Sequence, residues 1–467
     1  MTEQKNEKSG NQNLTDNLEN TMEPKVHYGF LTATTMIIGT VIGSGIFFKS
    51  DDILNYTGGN VLLGVLVFCI GAWGIIFGSL TVTELSTRTT KNGGIVGYFE
   101  DFISPKIACG FGWFQTFVYF PTLIVVLAWV SGIYTCMLFG LHNTLEMQSL
   151  LGIFYLFLFY GINLISVKLG GYFQNITTFI KLIPLLGIAV IGFFWGAPHP
   201  ALDAGVTLVS TRNVGFAWLA ALVPIAYSFD GWIVATNITN EVKNPKKNMT
   251  LALIIGPIIV LVVYLAFFLG LTKILGVEYI LSTRDAAIDK VGEMILGSNG
   301  AKILLVFVVI AVLGVVNGLI LGGLRMPQAL ASKDMIPNAK SVEKINDRVQ
   351  LSIKSWGISF VSSLLWFIVH YLTQKTNVLS GGDISEIAIV FSYACYIMLY
   401  IKVLSMKKNG QIHSIFRGVI CPIFAVLGAG IIFVGGFIRN PVYVSFFVLF
   451  CIFVFAAGIF YYHRKTH

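Results

Sequence analysis

Taken as a string of apolar and polar positions, the chain is a series of long hydrophobic runs separated by short polar gaps. Twelve runs lie near 28–48, 59–85, 110–138, 149–167, 171–196, 215–237, 249–272, 301–324, 352–373, 384–405, 418–438 and 442–462. About 20 helical residues cross the roughly 30 Å hydrocarbon core of a bilayer. Inside lipid the backbone must close its hydrogen bonds within the segment, which favours helices. The pattern therefore predicts an all-α integral membrane protein with 12 transmembrane helices. Residues 1–27 are polar and poor in apolar side chains, so they are expected to form a disordered tail. The first apolar run is too long for the core of a cleavable leader.

Two runs carry marks of interruption. The first contains Gly39-Thr40-Val41-Ile42-Gly43-Ser44-Gly45-Ile46-Phe47, and each glycine weakens a helix by about 1 kcal/mol relative to Ala. A break there would create two helix ends at membrane depth, the second presenting free N–H groups to an anion. Gly39 and Gly43 also have the GxxxG spacing of closely packed helices, so the residues alone leave both readings open. The sixth run contains Pro224, then Tyr227-Ser228-Phe229-Asp230-Gly231-Trp232. An acidic side chain near mid-membrane costs about 2.5–3.5 kcal/mol, and the simplest role for Asp230 is to cap the second half of its own helix. Interrupted spans at matching places in two halves point to the central site of a transporter. Each of these two runs is followed by four more. A five-plus-five arrangement has an odd number of spans per unit, so the second unit enters from the opposite side as an inverted repeat. The expected division is 28–196, then 197–405, then two extra spans and a short C-terminus in 406–467.

Composition narrows the class. Of 467 residues, 55% are hydrophobic and 12% charged, against about 25% charged in soluble domains. The net charge of +8 does not mark a nucleic-acid-binding domain, because the basic residues sit in the loops. With the N-terminus inside, inner segments hold 22 Lys and Arg and outer ones 8, with Lys181 left within a span. By the positive-inside rule both termini are expected in the cytoplasm. The six cysteines fall in or beside apolar runs without CxxC spacing, so they read as buried apolar residues. No GxxxxGK[ST], HExxH or GxSxG occurs, and the histidines are scattered; His370 reads as a packing residue. No enzyme, metal or cofactor is expected.

Several motifs in consistent order resemble the amino acid–polyamine–organocation superfamily. They are Gly43-Ser44-Gly45-Ile46-Phe47, Gly93-Gly94 with Tyr98, Tyr227 to Trp232, and Asn240-Glu241-Val242-Lys243-Asn244-Pro245 with Asn248. Asn317-Gly318 with Arg325 and Ala331-Ser332-Lys333-Asp334-Met335-Ile336-Pro337 complete the set. The similarity runs from about residue 28 to 405 and is nearest to bacterial transporters of the L-amino acid type. It implies a LeuT-like fold with discontinuous first and sixth helices. It also implies a cargo pose: the carboxylate of an amino acid on the N–H groups of Ser44, Gly45 and Ile46, and its ammonium on the carbonyls of Val41, Tyr227 and Asp230. Gly43 and Ser228 complete the implied substrate-binding set, with Tyr227 as an outer gate. Tyr227 would otherwise be one packing aromatic among many. The cargo side chain would point toward spans three, six, eight and ten. The third span holds no acidic residue, which favours small or medium neutral amino acids.

Lys181 lies deep in the fifth span, too far from the interface to snorkel, so its ammonium needs carbonyl partners. The resemblance sets it against the first span's break, where sodium-coupled relatives bind an ion, and so implies sodium-independent transport. A permanently charged Lys181 suits exchange; one that releases its proton suits a proton-coupled symporter. A transport-inactive amino acid sensor is the remaining class, and the short ends of the chain weigh against it. Eukaryotic relatives are tethered to a heavy chain through a loop cysteine, but 139–148 contains none. No such subunit is expected.

Overall fold

Lipid dictates most of the architecture, and the helices close their own hydrogen bonds wherever the chain is uniformly apolar. The computed structural model describes residues 28–43, 45–89, 93–195, 207–222, 225, 228–283, 286–346, 348–379, 383–439 and 441–466. The expected tail at 1–27 lies outside them. The helices are α1 (Phe30–Val41), α2 (Gly45–Tyr56), α3 (Val61–Ser86), α4 (Ile95–Phe102), α5 (Pro105–Phe139), α6 (Leu145–Ile165) and α7 (Val167–Phe194). Two 3₁₀ segments follow, Gly215–Ala221 and Trp232–Glu241. Then come α8 (Pro245–Leu275), α9 (Val277–Thr283), α10 (Ala286–Leu296), α11 (Gly300–Gly323), α12 (Met326–Ala331), α13 (Ala339–Glu343), α14 (Ile353–Thr376), α15 (Ile384–Lys408), α16 (Cys421–Arg439) and α17 (Pro441–Thr466). Among the described residues there are no strands, only isolated bridges.

Among the described residues, ten helices are long and apolar enough to cross a membrane, and they coincide with ten of the twelve predicted runs. The other two runs, 28–48 and 215–237, are the pair marked for interruption. The first is α1, then Ile42 and Gly43 outside any helix, then α2 from Gly45. The second is 3₁₀ at both ends with a turn over Phe229, Asp230 and Gly231 between. Polar residues at the gaps start the long helices: the side chains of Asn60, Ser104, Thr144, Ser166, Ser352 and Asp383 each accept an N–H from the following turn. Such caps contribute about 1 kcal/mol apiece. A π-helical turn, Gln115–Tyr119, widens α5 just ahead of Pro121, the kind of defect that recurs at functional sites.

The short α1 is the centre of the bundle, buried from Ala33 to Val41 and packed among α7, α8, α11 and the second 3₁₀ segment. Gly39 lets α7 come close: a Cβ there would stand 2.3 Å from Gln174 Nε2 and Thr178 Oγ1. Gly43 lies instead in the break. The two readings of these glycines thus divide between the two positions.

At one end of α1 the chain is locked to the sixth run. The Tyr28 N–H donates to the Glu241 carbonyl and the Lys243 N–H to the Tyr28 carbonyl, both at 2.9 Å, forming a parallel bridge with Val242. The Arg325 guanidinium grips both oxygens of the Glu241 carboxylate, with Nη2 at 2.8 Å from Oε2. Two motif residues 84 positions apart thus form one largely buried ion pair. Lys333, from a third motif, pairs with Glu100.

Candidate functional site

A broken helix leaves carbonyls without their usual N–H partners, and the structure shows where those of the first break go. The chain turns extended at Ile42, with φ −75° and ψ 103°. Lys181 reaches in from α7, fully buried, and its Nζ donates to the Gly39 carbonyl at 2.8 Å and the Ile42 carbonyl at 2.7 Å. Gly314 on α11 leaves room for the ammonium, since a Cβ there would stand 3.2 Å from Nζ. The carbonyl partners expected for this lysine are therefore those of the break itself.

The two breaks face each other. A Cβ on Gly45 would lie 3.7 Å from the Ser228 Oγ, and one on Gly231 would lie 3.0 Å from the Thr40 carbonyl oxygen. Gly231 has φ +98°, so both its conformation and this approach call for glycine. The Thr40 hydroxyl stands 3.0 Å from the Gly231 carbonyl. Tyr264, on α8, places its hydroxyl 3.2 Å from the Val41 carbonyl and 3.1 Å from the Ser228 carbonyl. One side chain thus bridges both breaks. Gly43, Gly45 and Ser228 keep partial exposure, whereas Val41, Ile42 and Ile46 are buried.

Asp230 differs from the expected cap. The second 3₁₀ segment has Gly231 at its N-cap position and no side-chain capping bond. The Asp230 carboxylate turns to α5, where Oδ2 accepts from the Tyr119 hydroxyl at 2.9 Å. Packing of α5 against the turn offers a hydroxyl from the widened π turn, and a single strong acceptor site is met across the helices. Asn317 is also drawn away from the breaks: its Nδ2 donates to the Gly170 carbonyl at 2.9 Å and its Oδ1 accepts from Asn163 at 2.9 Å. It ties α11 to α6 and α7. Ser44, Pro224 and Tyr227 lie outside the described residues. Among the described residues no cluster of His, Cys, Asp or Glu could hold a metal ion.

Tyr264 and Tyr119 escape a reading of the sequence. Tyr264 sits among apolar neighbours (Val263, Leu265, Phe267, Phe268), and nothing local distinguishes it from a packing aromatic. Tyr264→Phe is expected to weaken binding of a small molecule between the two breaks about three- to tenfold, the worth of one hydrogen bond of roughly 1 kcal/mol. A binding titration of wild type against variant checks this; an unchanged affinity would leave Tyr264 as packing.

A family model described as "Amino acid permease" matches residues 28–464. The serine/threonine exchanger SteT of Bacillus subtilis is 30% identical over 409 residues, covering 87% of this chain and 90% of its own length. The human b(0,+)-type amino acid transporter 1 is 23% identical over 449 residues, covering 94% and 88%. The human large neutral amino acids transporter small subunit 2 is 26% identical over 368 residues, covering 76% and 66%.

Proposed function

The chain belongs to the amino acid permease family, and from that premise we propose that it exchanges small or medium neutral L-amino acids across the membrane, without sodium, by alternating access. The observation that carries this reading is Lys181, whose ammonium bonds two carbonyls of the first break. The two bonds from Nζ do for the loose backbone what a bound cation would do, so no sodium is needed to hold the break in shape. The cargo carboxylate would sit at the start of α2, on the N–H groups of Ser44, Gly45 and Ile46, where the helix dipole favours an anion. Its ammonium would join the carbonyls of Val41, Tyr227 and Asp230, with Tyr227 closing the outer side. A carbonyl has two lone pairs, so Val41 can accept from Tyr264 and from cargo together.

The similarity to an exchanger of serine and threonine supports small neutral cargo. The excess of basic residues in alternate loops supports cytoplasmic termini. Two interrupted runs, each opening a series of five, support inverted repeats over 28–196 and 197–405. The loop after α5 has no cysteine, and Cys136 is buried on the helix, which supports action without a tethered heavy chain.

The test is counterflow of a labelled neutral amino acid into liposomes holding the purified chain, competed by each of the twenty. Small neutral amino acids should compete, and choline in place of sodium should leave the rate unchanged. Failure of every amino acid to compete would overturn the reading. An inward proton gradient should drive no net uptake into liposomes empty of amino acid; accumulation there would replace exchange by proton symport.

A further inference from the structure

Away from the two breaks, a cavity of about 440 Å³ lies between the chain leaving α2, at Thr57 to Asn60, and the chain entering the first 3₁₀ segment, at Thr211 to Val214. It stands at the end of the bundle expected to face outward, and its size falls in the range of small-molecule sites, roughly 300–1,000 Å³. The two walls are joined through the backbone. The Arg212 N–H donates to the Gly58 carbonyl at 2.9 Å, and a Cβ on Gly58 would stand 2.0 Å from the Arg212 carbonyl oxygen. Each wall adjoins one of the interrupted runs.

The side chains around this space are left as donors. Asn60 Oδ1 accepts the Leu63 N–H at 3.1 Å, and Asn213 Oδ1 accepts the Gly215 N–H at 2.9 Å. With both oxygens engaged, the amide end of each side chain remains to donate. The Arg212 guanidinium carries five N–H donors and no acceptor. Its contact with Asn55 Oδ1 is long, at 3.5 Å, and among the described residues no carboxylate pairs with it. Such a lining calls for an acceptor, and the guanidinium fork matches two oxygens of a phosphate. Apolar surface flanks the lining: Leu62 is 78% and Phe216 83% exposed, and Leu66 and Leu219 continue each surface one turn on. The elements that carry them, α3 and the first 3₁₀ segment, pack against each other. A free anion gains nothing from that surface, whereas a lipid has a phosphate for the donors and chains for the leucines and Phe216.

We propose that this cavity is a headgroup site for an anionic phospholipid, its phosphate held by Arg212 with Asn60 and Asn213 and its chains lying along Leu62 and Phe216. Because one wall follows the first interrupted run and the other leads into the second, the headgroup ties their outer ends together.

The experiment follows the thermal unfolding midpoint of the full chain in detergent during titration with dioctanoyl phosphatidylglycerol. It reads binding without transport, so its outcome is separate from that of the exchange assay. A saturable rise is expected, since a ligand of the folded state stabilises it. Arg212→Ala should raise the half-saturating concentration at least about tenfold, the worth of hydrogen bonds to a charged group. Arg212→Lys, which keeps the charge and loses the fork, should fall between. Inorganic phosphate should need at least about tenfold more than the lipid, because it has no chains to bury. Dioctanoyl phosphatidylcholine, whose cation offsets its phosphate, should need about fivefold more. No rise with phosphatidylglycerol, or the same half-saturation in wild type and Arg212→Ala, would overturn the site. Phosphate acting at the lipid's own concentration would overturn a lipid as its occupant. Equal half-saturation by the two lipids would overturn the preference for an anionic one.

Discussion

Lys181→Ala is expected to lower exchange by about a hundredfold or more. The change strips two buried carbonyls, those of Gly39 and Ile42, of the donor that lies 2.8 and 2.7 Å away. An unsatisfied buried group costs about 1–3 kcal/mol, and about 1.4 kcal/mol is tenfold in rate, so two such groups reach a hundredfold. Lys181→Met, which keeps the length and removes the charge, should fall equally far. Lys181→Arg should not rescue it, because the wider guanidinium would press on the space that Gly314 leaves open. Exchange of a labelled neutral amino acid in liposomes, normalised to the amount reconstituted, reads all three. Wild-type rates in the Ala and Met variants would remove Lys181 from the mechanism.

The second large effect concerns the grip of Arg325 on Glu241. Removing one member of a buried pair strands the other charge and costs about 3–5 kcal/mol, whereas removing both costs far less. Arg325→Met and Glu241→Met should each lower the thermal unfolding midpoint in detergent clearly. The double variant Arg325→Met/Glu241→Met should recover much of the loss, a coupling that a double-mutant cycle isolates. Because the pair holds Tyr28 and the start of α1 against the end of the sixth run, each single variant should also favour the state open on that side. A midpoint unmoved by either single change would show that the pair bears no such load.

The all-helical, LeuT-like membrane fold is largely legible in the sequence because bilayer thickness sets the length of each apolar run. Ten crossings follow from length alone, and the two exceptions announce themselves through Gly43 and Gly45 and through Pro224 and Gly231. That Lys181 must bond carbonyls is also legible, since an ammonium deep in a span has few other partners. What local sequence does not carry is which faces meet. The bond from Tyr119 to Asp230, the reach of Tyr264 across both breaks and the inward tie of Asn317 all depend on packing between distant helices. A polar side chain in an apolar run looks the same whether it lines a site or braces two helices.

Tyr264 has one further consequence. Its hydroxyl owns one proton, yet stands within bonding range of two oxygens, one on each severed crossing. That proton serves one oxygen at a time, whereas the ammonium of the proposed cargo would bring three donors. On the proposed pose cargo would act as a fastener, holding the crossings to one another more firmly, so that they should swing together.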